Sequence, residues 1–515
     1  MRRPCPILVL AAVLAGCAVG PDYRTPRSPV AADWVGAADP TLKRTEADLA
    51  RWWQVFGDPV LNRLVTLTRH QNLSLQAAAI RILEARARLG IASGSLYPQR
   101  QRITGDLSRQ TVSQHAPNTS PAMDRHFTTA GIGFDVGWEL DVWGKFRRGV
   151  EAAEANLAAA AADHDDLLVS LTAETARTYV LVRALQARIR VAEENRAIQR
   201  RTLRIAEALY RGGAIDELDL LQARSLLHTT EASIPPLRAA LRQSKNALAV
   251  LVGRPPGTVD TIVAEPRPIP APPVTVVIGV PADLLRRRPD VRRAERRLAT
   301  QSALIGVAKA DLYPHFSLLG SLNLRASDAA LTFASGGASK LADLFSARSF
   351  QYFVGPSLSW DVFNYGRLRN QVRAEDARFQ ALVATYRQTV LTAAREAEDA
   401  IAAFVNARVR QEKLRHSYEA ARRSVALSLL QYREGLVGYQ RVLDSQRSLL
   451  TTQDALTRAR GDVAIQLVRL YKALGGGWQG HGRAIPEAVR REMAERTEWG
   501  SWLRLEDGTD PDGSW

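Results

Sequence analysis

Residues 131–142, with the sequence GIGFDVGWELDV, decide the fold of this chain. Apolar side chains alternate there with glycine and acidic residues, which is the period of a β-strand with one apolar face. Residues 316–325 and 352–362 alternate in the same way, and Ile103 with Leu107 marks a weaker strand before them. Since about ten residues suffice for a tilted strand to cross a bilayer, two membrane-crossing β-hairpins are predicted. An ordinary soluble sheet with one wet face is the alternative.

Long helices are predicted on both sides of each hairpin. Apolar residues recur there every three or four positions, which is a helical period close to that of a coiled-coil seam. Proline is absent from 122–234 and from 357–485, so helices of about 40 residues or more can form in both stretches. The expected fold class is α+β, with hairpins at about 99–142 and 315–363 set between long helices.

The second half of the chain repeats the first. Three motifs recur in the same order: Leu96-Tyr97-Pro98 as Leu312-Tyr313-Pro314, Asp141-Val142-Trp143-Gly144 as Asp361-Val362-Phe363, and Tyr210-Arg211-Gly212-Gly213 as Tyr432-Arg433-Glu434-Gly435. In the second alignment, Gly366 comes two residues later than expected. The predicted division begins with a signal peptide (1–16) and an N-terminal segment (17–60). Repeat 1 (61–253), a proline-rich connector (254–280) and repeat 2 (281–475) follow, and a tail of unknown role (476–515) comes last.

The first residues predict the cellular location. Met1-Arg2-Arg3 is a basic start, and the apolar run 7–14 is far shorter than a spanning helix. Leu14-Ala15-Gly16-Cys17 then resembles a bacterial lipoprotein signal, in which 1–16 are removed and Cys17 is acylated, with palmitate among its chains. By the same resemblance, Ala18 favours the outer membrane of a Gram-negative bacterium. A plain signal peptide cut near Ala15 is the alternative.

Composition and charge exclude several classes of protein. The chain has 515 residues, 46% of them hydrophobic, which excludes a wholly disordered chain, and its mean hydropathy of −0.17 excludes a polytopic helical membrane protein. The net charge is +16, but a secreted, lipid-anchored chain is not expected to bind nucleic acid, so the arginines are interpreted as solvated helix surface. Zinc-protease, phosphate-loop and serine-hydrolase motifs are absent from the sequence. No enzyme, metal site or cofactor is therefore expected.

A sheet of four strands raises the question of how its edges are paired. Unpaired backbone groups at an open edge cost several kcal/mol each in hydrocarbon, and single-chain barrels begin at about eight strands. If the sheet crosses a membrane, several copies of the chain must therefore share one barrel. Two copies would give eight strands and three would give twelve, and the strand count does not choose between them.

Three groups of residues carry a family resemblance: Gly20-Pro21-Asp22-Tyr23; Trp52-Trp53 with Phe56, Asp58-Pro59 and Leu61; and Leu284-Leu285 with Arg287-Arg288-Pro289-Asp290 and Ala294-Glu295. Together they resemble the TolC-like outer-membrane channels of tripartite efflux pumps, in the NodT-like lipoprotein branch. The resemblance runs from Cys17 to about Gly476. It implies a homotrimer with a twelve-stranded transmembrane β-barrel, four strands per chain, continued through the periplasm by a long α-helical barrel.

The resemblance implies a passive exit channel. In such a pump, an inner-membrane RND-type transporter and a periplasmic adaptor hand drugs or other toxic small molecules to the channel, which can confer antibiotic resistance. The exit duct of a type I protein secretion system is one alternative, and a periplasmic helical lipoprotein without a pore is another. The substrate is not encoded in this chain, because the companion pump selects it.

The resemblance also implies a gate at the inner hairpin tips, at the matching residues Asp444, Tyr432 and Arg433. Three Asp444 carboxylates around a threefold axis would form a narrow ring that favours cations. An acid in the first turns of a helix also offsets the helix dipole without any further role. Repeat 1 has Gln222 at the corresponding position. The tips are expected to contact the adaptor, through Arg211, Gly212, Gly213, Glu434, Gly435 and Gly438, although these glycines are also helix-stop signals.

Overall fold

The structure is a computed structural model that describes residues 18–31, 33–43, 45, 49–113, 115, 117, 124–279, 286–329, 340–480, 482–483 and 485–503. The predicted signal peptide, the predicted lipidation residue Cys17, and the motif residues Leu284 and Leu285 lie outside the described residues. The chain divides into two compact units. The sheet unit comprises Met1–Pro26, Glu84–Ala158 and Arg296–Ala384, and the helical unit comprises Arg27–Leu83, Ala159–Glu295 and Thr385–Trp515.

Long paired helices dominate the described part of the chain. The helices are α1 (Pro59–Gln71), α2 (Leu73–Gly94), α3 (Lys145–Arg211), α4 (Glu217–Leu251), α5 (Pro289–Ala310), α6 (Arg367–Arg433), α7 (Tyr439–Ala473) and α8 (Glu487–Arg496). The strands are β1 (Leu42–Lys43), β2 (Arg100–Thr111), β3 (His126–Leu140), β4 (Val276–Val277), β5 (His315–Ser327) and β6 (Phe350–Ser359). Helices that combine the length and the apolar character needed to cross a bilayer are absent from the described residues.

The sheet unit contains one antiparallel sheet of four strands in the order β2-β3-β5-β6. Its register places Ile103, Phe134, Leu322 and Tyr352 side by side across the four strands. Since directly opposite residues share a face, the register also defines the two faces of the sheet. One face is mostly apolar: Ile103, Leu107, Ile132, Phe134, Val136, Trp138, Leu318, Leu322, Leu324, Tyr352, Val354 and Leu358. The other is mostly polar: Arg102, Thr104, Asp106, Ser108, Asp135, Ser317, Ser321, Asn323, Arg325, Gln351 and Ser357.

None of the residues that the structure describes covers the apolar face. Ile103, Leu107 and Tyr352 keep 75%, 73% and 72% of their accessible surface. A soluble sheet would bury such side chains against another layer, because exposed contiguous apolar surface marks an interaction site or a membrane. On the polar face, Gly131 and Gly133 of β3 leave room for neighbours. A Cβ on Gly131 would lie 2.7 Å from Oδ1 of Asp106, and one on Gly133 would overlap the side-chain amide of Asn323.

The core of the helical unit is built around the tryptophan motif. Trp52 is almost fully buried and stacks on Tyr471 with 5.3 Å between ring centroids. Asp58 of the same motif caps α1, where its carboxylate accepts the N–H of Val60 at 2.8 Å. The same carboxylate accepts a hydrogen bond from the Tyr179 hydroxyl at 2.5 Å. Burial, and then this bond, raises the pKa of Tyr179, so the hydroxyl remains a donor.

The proline-rich connector contributes valines to the same core. Val259, Val263 and Val276 are fully buried. Val276 belongs to β4, which pairs in parallel with β1. Proline-rich segments are extended and semi-rigid, and the buried residues of this one fasten it to the helical unit.

The long helices of the two repeats are related by one constant shift in residue number. Helices α3 and α6 have 67 residues each, and α4 and α7 have 35 each. Gly144 and Gly366 precede α3 and α6 with φ of 76° and 82°, so the shift is 366 − 144 = 222. The alignment of Asp141 with Asp361 is therefore wrong by two residues, because it followed matching letters and not the glycine turn.

The C-terminal tail packs on the helical unit. Arg292 lies 5.2 Å over the ring of Trp478, and Arg483 donates to the buried carboxylate of Asp165 at 3.0 Å. Farther along, the tail covers apolar residues of α2, in a cluster formed by Ala79, Ile80, Leu83, Ile485, Val489, Met493, Trp499 and Leu503. The tail is thus an integral part of the helical unit up to residue 503.

Candidate gate at the helical tips

The two helical hairpins turn in the same way. Helix α3 ends at Arg211 and α6 ends at Arg433, and a glycine with φ of 72° follows each helix, Gly213 and Gly435. The N–H of the residue after each glycine donates to a carbonyl five residues earlier, at 2.9 Å in both turns. This is the Schellman arrangement, which needs a left-handed residue. The turn itself therefore accounts for both glycines.

The residues predicted to contact the adaptor all lie on the surface of these turns. Arg211, Gly212, Gly213, Glu434, Gly435 and Gly438 are exposed. A Cβ atom added at Gly213, Gly435 or Gly438 would have no atom outside the turn within 4 Å. The space around the tips is thus open to a second protein.

Asp444 lies near the start of α7, with 58% of its side chain exposed. Gln440 donates to its carboxylate at 3.1 Å, and Arg447 forms an ion pair with it at 3.6 Å. A groove of about 640 Å³ between α6 and α7 runs along this carboxylate, and it is lined by Ser424, Val437, Gly438, Gln440, Arg441, Asp444, Ser445 and Ser448. The carboxylate is thus presented to solvent, and its two partners belong to its own helix.

Tyr432 has a different environment. Its ring is half-buried and lies 5.4 Å from that of Tyr439, in an apolar cluster that joins the two hairpins. Burial, and then the charge of Asp219 on α4, raises the pKa of Tyr432. Arg433 next to it is exposed. The structure therefore does not gather the three predicted gate residues: Asp444 faces the groove, Tyr432 packs inside the tip, and Arg433 faces solvent.

A polar seam between α3 and α7 was not predicted from the sequence. Arg188 donates to both carboxylate oxygens of Asp454, at 2.7 and 3.4 Å. Farther toward the tip, Asn195 donates to Gln453 at 2.9 Å, and Gln446 donates to Thr202 at 3.2 Å. Polar residues at such core positions of a coiled coil fix the register of the two helices at a cost in stability. The seven-residue spacings of Arg188, Asn195 and Thr202 on α3, and of Gln446 and Gln453 on α7, could have indicated the seam.

A buried arginine in the Arg-Arg-Pro-Asp motif holds the end of α7. The guanidinium of Arg288 donates to both oxygens of Asp290, at 3.0 and 2.8 Å, to Glu396 at 2.8 Å, and to the carbonyl of Ala473 at 2.6 Å. Burial would lower the pKa of Arg288, but the bonds to Asp290 and Glu396 outweigh burial and raise it. A cation at the C-terminus of a helix also stabilises the helix dipole.

The described residues contain no group of histidine, cysteine and carboxylate side chains that could hold a metal ion. The charged residues of α3, α6 and α7 form ion pairs between helices, as Arg188 does with Asp454, and within one helix, as Arg177 does with Glu174. The arrangement at the tips can turn the chain, present a carboxylate to a polar groove and dock a protein.

Comparisons with known proteins identify the family. Residues 64–254 and 280–476 match the family described as outer membrane efflux protein. The pyoverdine export outer membrane protein OpmQ of Pseudomonas putida is 32% identical, over 93% of this chain and 98% of that protein. Nodulation protein T of Rhizobium leguminosarum bv. trifolii is 30% identical, over 90% and 96% of the two chains.

A solved structure extends the likeness to the fold. The outer-membrane channel OprN superimposes with a TM-score of 0.82 and 35% identity, over 90% of this chain and 100% of that one. The resemblance to TolC-like outer-membrane channels is thereby confirmed, and these relatives are channel and export proteins, not enzymes. The chain therefore belongs to the outer membrane efflux protein family and is an efflux exit channel of the outer membrane.

Proposed function

We propose that three copies of the chain form one channel, in which the four-stranded sheets close into a twelve-stranded barrel and the long helices continue it into the periplasm. The observation that carries this proposal is the two-faced sheet, whose apolar face is left uncovered by the described part of the chain. A lipid environment accounts for that face, and a water-filled lumen accounts for the polar one.

The edges of the sheet support the same proposal. Among the strands that the structure describes, β2 and β6 each have a neighbour on one side only. In hydrocarbon, every unpaired N–H or C=O would cost several kcal/mol, so each edge needs a strand from another copy. An even number of strands per copy lets β6 of one copy run antiparallel to β2 of the next, so the barrel remains antiparallel throughout. In this proposal the two repeats, 61–253 and 281–475, are the building units, and Cys17 carries the lipid anchor.

The gate of the channel is proposed to be a ring of Asp444 side chains. The carboxylate lies in a polar groove, and the only partners within its reach among the described residues are Gln440 and Arg447 on its own helix. Three such carboxylates around a narrow opening repel one another and attract cations. Tyr432 would act through the packing of the tip, and Arg433 through its exposed charge.

The partners are proposed to be a periplasmic adaptor, seated on the exposed turns at 211–213 and 434–438, and an inner-membrane transporter of the RND type. The cargo is proposed to be small organic molecules, in line with the pyoverdine named for one relative. The chain itself has no catalytic step in this proposal, because the energy for transport comes from the inner-membrane partner.

Planar-bilayer recording tests the gate against a matched control. Asp462 lies on the same helix, is 49% exposed and pairs with Arg410 of α6 at 3.6 Å, so it resembles Asp444 in exposure and in the length of its ion pair. We expect Asp444→Ala to raise the single-channel conductance and to reduce cation selectivity, and Asp462→Ala to change neither. Equal behaviour of the two variants would reject the gate, and a purified protein that stays monomeric and carries no current would reject the channel assembly.

A further inference from the structure

Each repeat contains the same hydrogen bond at the helical end of its hairpin. Trp138 donates its indole N–H to the carbonyl of Leu96 at 3.2 Å, and Trp360 donates to the carbonyl of Leu312 at 3.1 Å. The shift of 222 residues relates the two tryptophans, and the two leucines open the repeated Leu-Tyr-Pro motifs. The repeats therefore match in side-chain contacts as well as in chain order.

A second contact joins repeat 1 to repeat 2 within the chain. Strand β3 pairs with β5, and just after β3 the ring of Trp143 stacks on Tyr313, with 4.7 Å between centroids and 24° between planes. The same indole donates to the carbonyl of Pro314 at 2.8 Å. The last strand of repeat 1 is thus fixed to the Leu-Tyr-Pro motif of repeat 2.

The counterparts of these residues lie at the two free edges of the sheet, where no residue of the described ranges covers them. The shift of 222 relates Trp143 to Tyr365, which follows β6, and the repeated motif relates Tyr313 to Tyr97, which precedes β2. Tyr365 is fully exposed and Tyr97 is 68% exposed. Among the described residues, Tyr365 is also the only non-glycine residue with a positive φ, 50°. Such strain at an exposed aromatic points to a function.

We propose that the contact between repeats is repeated between copies of the chain. Tyr365 of one copy stacks on Tyr97 of the next, and its hydroxyl donates to the carbonyl of Pro98 of that copy, as the indole of Trp143 does to Pro314. The occupant of this edge is thus a second copy of the chain, which already forms the same contact with itself. The inference rests on the proposed closed barrel and adds to it the residues that join its subunits.

The same symmetry fixes the register of the joining strands. Phe134 lies opposite Ile103, and Pro356, its counterpart at the shift of 222, lies opposite Leu318. Strand β2 therefore corresponds to β5 with a shift of 318 − 103 = 215. Ile132 of β3 lies opposite Leu324 of β5. Adding 222 to Ile132 gives Val354 of β6, and subtracting 215 from Leu324 gives Arg109 of β2. Val354 of one copy is therefore placed opposite Arg109 of the next.

This register also keeps the faces of the barrel in order. Val354 lies on the apolar face of β6, and Arg109 lies on the same face of β2, since it is six residues after Ile103. A register displaced by one residue would turn the apolar face of one copy toward the polar face of the next.

Cysteine pairs test the register in the full chain in its membrane. Directly opposite residues bring their Cβ atoms to about 5 Å, whereas diagonal neighbours are about 7–8 Å apart, beyond the reach of a disulfide. We expect Val354→Cys with Arg109→Cys to give covalent dimers and trimers on oxidation. The pairs of Val354→Cys with Leu107→Cys and with Thr111→Cys, two residues out of register on the same face, should not. Phe134→Cys with Leu322→Cys, opposite within one chain, should react without joining copies.

The outcomes separate this inference from the proposal beneath it. Linkage at Leu107 or Thr111 in place of Arg109 would overturn the register. Absence of any linkage between copies, in a protein whose mass in detergent is that of a trimer, would overturn the inference and leave the channel standing. A monomeric mass would reject both.

Tyr365 is tested by the rate at which the trimer dissociates in warm dodecyl sulfate. We expect Tyr365→Ala to speed dissociation by roughly threefold to tenfold, in line with the strength of an aromatic pair, and Tyr365→Trp to remain close to the parent. Phe363→Ala is the control, because Phe363 is 91% exposed but is not the counterpart of Trp143. Equal dissociation of the two alanine variants would overturn the inference. So would a Tyr365→Ala trimer that dissociates like the parent but binds phospholipid vesicles less well, since the membrane would then be the occupant.

Discussion

Replacement of Arg288 by methionine should destabilise the helical unit far more than the same change at its neighbour. The methionine keeps the volume of the side chain but removes every donor that holds Asp290, Glu396 and the carbonyl of Ala473. Breaking a buried ion pair by removing one partner costs about 3–5 kcal/mol. The side chains of Glu396 and Asp290 are 44% and 20% exposed and can be rehydrated. We therefore expect the lower end, about 3 kcal/mol.

The matched control is Arg286→Met, since Arg286 precedes Arg288 by two residues and is exposed. An exposed arginine away from a buried network should change the free energy of unfolding by less than about 0.5 kcal/mol. Arg288→Lys should fall between the two, because an ammonium keeps the charge but cannot bind Asp290 through two parallel bonds.

Urea unfolding of the purified protein in detergent, followed by the circular dichroism of the helices, measures these differences. Loss of stability in Arg288→Met that is no greater than in Arg286→Met would refute the reasoning. So would a stabilised Arg288→Met variant, since buried ion pairs can be weaker than well-packed apolar residues.

Two further outcomes are expected. Gly475→Ala should be more destabilising than Gly435→Ala by about 1–3 kcal/mol in the same assay. Both glycines have φ near 72°, but only at Gly475 would the new Cβ lie 2.8 Å from Cγ of Arg288. Equal losses of stability in the two variants would contradict this contact. Burial raises the pKa of Asp165, but the bonds from His164 and Arg483 outweigh it and hold that pKa below 3.8. The stability that Asp165 contributes to the docking of the tail is therefore present above about pH 4 and is lost as the pH falls further. Limited proteolysis should release the tail only in acid, and Arg483→Gln should move that release to higher pH. An unchanged release profile in Arg483→Gln would contradict this role of Asp165.

The hairpins and long helices could be predicted because their signals are local. The period of two at Phe134 and Val136 involves only neighbouring residues. A proline likewise interrupts a helix only where it occurs, so its absence is also a local signal. The tips were predictable for the same reason, since a glycine after a helix is a short-range stop signal at Gly213 and Gly435. Such signals do not decide how many copies share a barrel, and the expectation of a trimer rests on the family resemblance alone.

Long-range contacts could not be read from the sequence. Nothing near Asp165 indicates that it is buried, because its cationic partner Arg483 comes from the tail, far along the chain. The burial of Tyr432 depends in the same way on distant residues, since Leu203, Ile215 and Leu220 of the other helical hairpin belong to its cluster. Aligning Asp361 with Asp141 by residue identity gives an error of two residues, because the glycine before each long helix sets the true correspondence.

The two glycines on the polar face of β3 have a consequence for how this protein can vary. The space that their missing side chains would fill is taken by Asp106 from one neighbouring strand and Asn323 from the other. Any larger residue at 131 or 133 must displace a polar group of an adjacent strand, so changes there come in compensating pairs. In the proposed barrel, single substitutions on β2, β5 or β6 can therefore change the selectivity of the lumen. Positions 131 and 133 of β3 must remain glycine unless a neighbouring strand changes as well.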